Sequence, residues 1–135
     1  MTATTDYTFG TVLAAPIDEV RTRVEAALKE QGFGVLTEID VRATMREKLG
    51  IEREPYLILG ACNPQLAHRA LEADPSVGAL LPCNVVLRAE EDRTRVEIMD
   101  PVAALGIAKA DSLAELATEA RQRLRTVIAT LEASR

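Results

Sequence analysis

The sequence predicts a two-layer α+β domain, with two long helices packed on one face of a largely antiparallel sheet of about five strands. Three observations carry this. Short alternating or apolar runs, bounded by Gly, Pro and charged residues, recur along the chain as strands do. Two longer segments, Pro16 to Gln31 and Ser112 to Leu131, repeat apolar residues at three- and four-residue steps, which places them on one side of a helix. And 135 residues, 47% of them hydrophobic, suffice for one core, because a chain of this length buries roughly 68–70% of the surface it exposes when unfolded. Residues 1–135 therefore read as a single domain, without internal repeat, linker or low-complexity tract.

Taken in order, Tyr7 to Val12 alternates and is expected as the first strand, with Tyr7, Phe9 and Thr11 on one side. Pro16 suits a first helical position and Asp18 and Glu19 the positive end of the helix dipole. Ile17, Val20, Val24, Ala27, Leu28 and Gln31 then form one face until Gly32-Phe33-Gly34 stops the helix. Val35 to Ile39 reads as a second strand, and Asp40 as the cap of a short helix whose Val41, Thr44, Met45 and Leu49 share a face before Gly50. The apolar run Tyr56 to Leu59, between Pro55 and Gly60, predicts a strand buried on both sides. Asn63-Pro64 starts a helix with Leu66, Ala67, Ala70 and Leu71 on one face, ending near Asp74-Pro75.

Asn84 to Ala89 and Thr94 to Met99 form a predicted hairpin. Its connection, Glu90-Glu91-Asp92-Arg93, lacks Gly and suits a type I turn. Asp100-Pro101 opens an apolar stretch, Val102 to Ala108. Ser112-Leu113-Ala114-Glu115 matches the capping box, in which Ser and Glu side chains satisfy free backbone donors.

Composition narrows the function. With 16 Lys+Arg against 21 Asp+Glu the net charge is −5, and no basic block supplies the footprint that a phosphate backbone requires, so nucleic acid is excluded as a partner. Two cysteines cannot make a secreted disulfide framework. The stretch Met1 to Asp6 has neither the basic start nor the apolar core of a signal peptide, and no apolar run approaches a membrane span. The expectation is a cytoplasmic protein without a membrane partner.

The segment Leu59-Gly60-Ala61-Cys62-Asn63-Pro64 holds the chemistry. It runs from a strand into a helix, so Cys62 is expected just outside a helix N-terminus, where free N–H groups and the dipole stabilise a thiolate. Gly60 and Ala61 leave room for a ligand to approach the backbone. The alternative is a small buried residue at a tight turn. Cys83, in Leu81-Pro82-Cys83-Asn84, lies 21 residues further on. Each cysteine precedes Asn at the mouth of a strand, so the two could face one another as a redox pair, as ligands for a soft metal, or as unrelated core thiols.

His68, the single histidine, could serve as acid or base near Cys62, or pair with Glu72 on the helix surface. Asp100-Pro101 repeats the cap-plus-Pro pattern, and two helix N-termini on one edge would make an anion site unless both are ordinary caps. Other motifs fail on spacing. Arg69 comes one residue too late for a cysteine phosphatase loop, and C-x-x-C, H-E-x-x-H, Walker A and G-x-G-x-x-G patterns do not occur. A closed zinc site needs four ligands, more than these scattered residues offer.

Together, Gly32-Phe33-Gly34-Val35-Leu36-Thr37-Glu38-Ile39-Asp40-Val41, the Leu59–Pro64 segment with Ala67-His68 and Ala70-Leu71, Leu81-Pro82-Cys83-Asn84-Val85, and Asp100-Pro101 resemble the bacterial and archaeal domain of unknown function family 302. The resemblance spans nearly the whole chain. It implies a β-α-β-rich, TATA-binding-protein-like two-layer fold and a small homodimer, but no catalytic mechanism. Members often carry methionines after the Asp-Pro. Here Val102 to Leu105 has none, which removes a thioether ligand at that place.

Three functions follow. The first is a homodimeric module that binds a small molecule or soft metal in a pocket near the two Cys-Asn segments, with Cys62, Asn63, Cys83, Asn84, His68 and Asp100 as candidate ligand-binding residues. The second is a thiol-dependent redox enzyme or switch, with Cys62 as nucleophile and Cys83 as resolving thiol. The third is an interaction protein whose dimer meets through residues 102–108. No complete catalytic constellation is visible, and the sequence names no cofactor.

Overall fold

The computed structural model describes residues 5–134. It contains one five-stranded, fully antiparallel sheet built from β1 (Thr8–Leu13), β2 (Gly34–Asp40), β3 (Tyr56–Cys62), β4 (Cys83–Glu90) and β5 (Arg93–Met99), in the order β1-β5-β4-β3-β2. The helices are α1 (Ile17–Glu30), α2 (Val41–Leu49), α3 (Pro64–Ala73), α4 (Pro101–Leu105) and α5 (Asp111–Ala133), with short 3-10 turns at Pro75–Leu80 and Gly106–Ala108. This is the α+β architecture that the sequence predicts. Among the described residues no helix is long and apolar enough to cross a membrane.

The core lies between one sheet face and the helices α1, α3 and α5. Phe9, Leu13, Leu59, Val85, Leu87, Val96 and Ile98 come from the sheet, and Val20, Val24 and Leu28 from α1. Along α5 the stripe Leu113, Leu116, Ala117, Ala120, Leu124, Val127, Ile128 and Leu131 is buried throughout. Two threonines, Thr11 and Thr94, are buried in this layer, and Thr94 donates its hydroxyl to the Ala15 carbonyl at 2.8 Å.

The other sheet face lies outside the core cluster. Tyr56 and Ile58 are consequently only half-buried there, Leu57 packs half-buried on the covered face opposite Leu87, and β3 is not the strand buried on both sides that its apolar run predicts. The open face carries a charged lattice instead, with Arg88 donating to Glu97 (2.9 Å) and Glu90 (3.3 Å), and Arg95 to Glu90 (2.6 Å). These long side chains lie over the aliphatic residues between them.

Local signals mostly decide the element ends. Asp40 caps α2 by accepting the Ala43 N–H at 2.9 Å, and Gly50 closes it with φ of 66°. The predicted shared face of α2 is shallow: Val41 and Met45 are half-buried, whereas Thr44 and Leu49 face solvent. Pro16 stands at the cap of α1, one residue before the first helical position expected of it. Tyr7 precedes β1 and is exposed, and Leu71 lies off the buried face of α3, which consists of Leu66 and Ala70 with Ala67 half-buried.

Two predicted turns differ more. The hairpin is tighter than four residues because Glu90 pairs with Arg93, leaving Glu91-Asp92 as the connection with Glu91 at φ of 59°. The Ser112 capping box does not form. Helix α5 begins at Asp111 with Ala110 at its cap, and the N–H groups of Leu113 and Ala114 are taken by the Ala110 carbonyl at 3.1 and 3.2 Å, so Ser112 does not stand at the cap position. Ser112 already lies inside the helix while Leu113 is in the core.

Strands β1 and β5 approach so closely that a Cβ at Gly10 would collide with the Val96 carbonyl oxygen. At Gly34 a Cβ would meet nothing. Gly10→Ala is therefore expected to lose about 2–3 kcal/mol in urea denaturation, the scale of forced overpacking. Gly34→Ala should stay within about 0.5 kcal/mol of the parent or gain slightly.

Candidate functional site

At the C-terminal end of β3 the chain turns sharply into α3. Asn63 caps that helix by accepting the Leu66 N–H at 3.1 Å, Pro64 fills the first turn where no N–H is needed, and the Asn63 carbonyl takes the Ala67 N–H at 2.9 Å. The cap is buried, with Asn63 7% exposed. The same junction receives the start of β4, because the ladder pairs Ala61 with Cys83 and Gly60 with Asn84.

Here a small recess of about 40 Å³ opens between layers. Its walls are Phe33 before β2, Ala61 to Asn63, Leu66, Ala67 and Ala70 of α3, Leu81 to Cys83, Pro101 and Leu105 of α4, and Leu116 and Ala120 of α5. The Leu81-Pro82 peptide bond beside it is cis. Apart from Asn63 and the two thiols, all of these side chains are apolar. At this size the recess accommodates an ion or a group of a few atoms, well short of the ~300–1,000 Å³ of a site for an organic ligand.

Cys62 and Cys83 both border it, and both are free thiols. Cys83 shares the helix-covered face with its partner Ala61 and packs against the core. Cys62 follows Ala61 as the last residue of β3, opposite Gly34. Burial first, and then the neighbouring Cys62 thiol, push the Cys83 thiol up to about 11. Burial also raises the Cys62 thiol above its ordinary value. That overturns the expectation of a stabilised thiolate: proximity to the α3 N-terminus does not offset the loss of water.

The remaining sequence candidates separate. Asn84 is exposed and, paired with Gly60, projects from the open face, because a one-residue step along β4 reverses the side from that of Cys83. His68 lies far out on α3 with a side chain 74% exposed and Nε2 3.7 Å from Glu72, so it takes the surface role. Asp100 accepts the Val102 N–H at 2.9 Å and lies 3.3 Å from Arg121 Nε. It is an ordinary cap on a helix of five residues, and the second helix N-terminus of an anion site is not built there. Nor does Gly60 leave room for a ligand, since a Cβ there would collide with Thr37 Oγ1 and lie 2.8 Å from Pro82 Cγ. Among the described residues no three His, Cys, Asp or Glu side chains cluster as metal ligands.

Sequence reading missed the far walls of the recess. Phe33, Leu116 and Ala120 read there only as stop signal and helix stripe, and nothing local marks which part of the α5 stripe faces α3.

Comparison with known proteins gives a consistent answer. The family model described as "Domain of unknown function DUF302" matches residues 9–131. The chain is similar to the crystal structure of an uncharacterized conserved DUF302 protein from Bacillus stearothermophilus, at 31% identity and a TM-score of 0.86, covering 93% of this chain and 98% of that one. A comparison with curated proteins gives no match.

The raised thiols set an expected pH profile. In the native protein, alkylation of both cysteines by iodoacetamide at pH 7 should be slower than for a free thiol, with Cys83 slower than Cys62 and accelerating only towards pH 11, as read by peptide mass after timed labelling. The folded state holds the Cys83 proton more tightly than the unfolded chain does. This contribution to stability is therefore complete below about pH 9 and falls away as pH rises from 9 to 11.

Proposed function

The chain belongs to the DUF302 family, and we propose that it is a binding module whose ligand is a soft, monovalent d¹⁰ cation of the Cu(I) type, held by the sulfurs of Cys62 and Cys83. One observation carries this reading. The fold brings two thiols, distant in sequence, to the rim of a single recess that is otherwise apolar and holds about 40 Å³. Thiolate ligands select soft cations, and such a cation accepts two of them in a linear arrangement without the four ligands that zinc requires. On binding, each thiol releases its proton to solvent and donates a sulfur lone pair to the metal. No electron is transferred.

The raised thiol pKa values favour this over nucleophilic chemistry. A thiol kept protonated by burial is a weak nucleophile at neutral pH, and His68 is too far out on α3 to act as its base. A metal, by contrast, can compete directly for the sulfur against the proton.

Anaerobic titration with Ag(I) as the probe, read by native mass spectrometry and by competition with a chromogenic chelator, tests this. The expected result is one ion per chain, at least tenfold weaker binding in Cys62→Ser or Cys83→Ser, and loss in the double variant. His68→Ala should bind as the parent does. Stoichiometric binding that survives both serine substitutions would overturn the reading, as would failure of the parent to compete with the chelator.

The homodimer expected from the sequence has support in residues 102–108. Val102 and Ile107 are exposed, the latter by 69%, on a segment whose Leu105 is anchored in the core. Ile107→Glu is expected to shift sedimentation towards the monomer. A parent protein that sediments as a monomer at high concentration would remove this reading.

A further inference from the structure

Beside the thiol recess, on the other side of Asn63, lies a shallow polar groove bordered by Gly32, Asn63, Pro64, Gln65 and Arg123. Its donors are of three kinds. Asn63 is more than nine-tenths buried, and its Oδ1 is committed to the Leu66 N–H, but its Nδ2 has no hydrogen-bond partner among the described residues and points towards Gly32. Arg123 reaches the same place from α5, with Nη1 donating to the Gln31 carbonyl at 3.3 Å and Nη2 to Glu119 at 3.0 Å. The α3 N-terminus adds its positive dipole end and the Gln65 N–H, since Pro64 has none and the Leu66 and Ala67 N–H groups are used.

Gly32 opens this groove. Its φ is +82°, and a Cβ would stand 3.0 Å from Asn63 Nδ2 and 3.4 Å from Arg123 Nη1, so any side chain would enter the space between the two donors. With no side chain there, both nitrogens face the same solvent-open cleft.

We propose that this groove binds the carboxylate of a small anionic ligand. The groups that the fold fixes around it, Asn63 Nδ2, the Arg123 guanidinium and the Gln65 backbone N–H, are donors, which selects acceptor oxygens. The charge available selects a monoanion. Glu119 is shared between Arg123 at 3.0 Å and Arg69 at 3.5 Å, so two cations face one carboxylate and one further negative charge is balanced, whereas a phosphate dianion would remain in excess. The proposal goes beyond the thiol reading and does not rest on it, since neither cysteine supplies a donor.

The test is a heteronuclear NMR titration of the full chain with sodium acetate, and separately with inorganic phosphate, at constant ionic strength maintained with chloride. Acetate is expected to give saturable shifts at the Gly32, Gln65 and Leu66 amides. Asn63→Asp keeps the capping oxygen while replacing the donor by a charge, and Arg123→Gln removes the cation. Each should weaken acetate binding by about tenfold or more, while Cys62→Ser/Cys83→Ser should bind acetate as the parent does. The parent titration decides the matter even where a variant fails to fold. Absence of saturable shifts at these amides would overturn the proposal, as would tighter binding of phosphate than of acetate, or loss of acetate binding in the double serine variant.

Discussion

The one-sidedness of the sheet governs this molecule. Helix α5 lays an unbroken apolar stripe, Leu113 to Leu131, across the sheet and against α1, α3 and α4, so nearly all of the hydrophobic burial comes from a single interlayer. At roughly 25 cal/mol per Å² of apolar surface removed from water, that interlayer is the dominant favourable term in folding. The rest follows from it. Residues on the open face must be polar or shielded, and Arg88, Arg95, Glu90 and Glu97 meet that need by covering their aliphatic neighbours and pairing their charged ends. Such half-exposed pairs add little stability individually, and their main effect is to keep the face wet.

The candidate site sits where this interlayer ends. At the mouths of β3 and β4 the stripe of α5 brings the small side chain of Ala120 to the same place as Ala61, Ala67 and Ala70, and the packing does not close completely. The recess is what remains. Its position explains the chemistry of the two thiols: burial raises both above the ordinary thiol range, although they lie beside the turn where β3 becomes α3. Asn63 holds that turn, and its two ends serve different compartments, the oxygen capping α3 and the nitrogen facing the groove at Gly32.

Much of this was legible in the chain. The Asn63-Pro64 and Asp40 caps, the stripes of α1 and α5, and the strand mouths at both cysteines follow from local spacing, and local physics produces them. What failed was nonlocal or depended on parity. Asn84 appeared beside Cys83 in sequence, but adjacent residues of a strand point to opposite faces, and only the pairing with Gly60 shows which face is covered. The Tyr56 to Leu59 run looked doubly buried because apolar residues do not reveal whether a helix lies above them. Ser112 looked like a cap because its motif is sound, yet the helix already begins at Asp111, with Ala110 at the cap position. The expectation of a thiolate at Cys62 weighed the dipole and could not weigh the desolvation.

Strand β2 forms a free edge of the sheet, exposed along most of its length. An edge of this kind offers an open row of backbone donors and acceptors on which a strand from another molecule could grow. In β2 the row is broken. The register shifts between Val35 and Thr37, leaving Leu36 outside the pairing with β3, and beyond it Glu38 is held by Arg21 and Asp40 carries a further charge. A bulge disturbs the regular comb of backbone groups, and buried like charges would face each other if two such edges met. The irregularity that looks like a defect in the ladder thus works against edge-to-edge growth from β2.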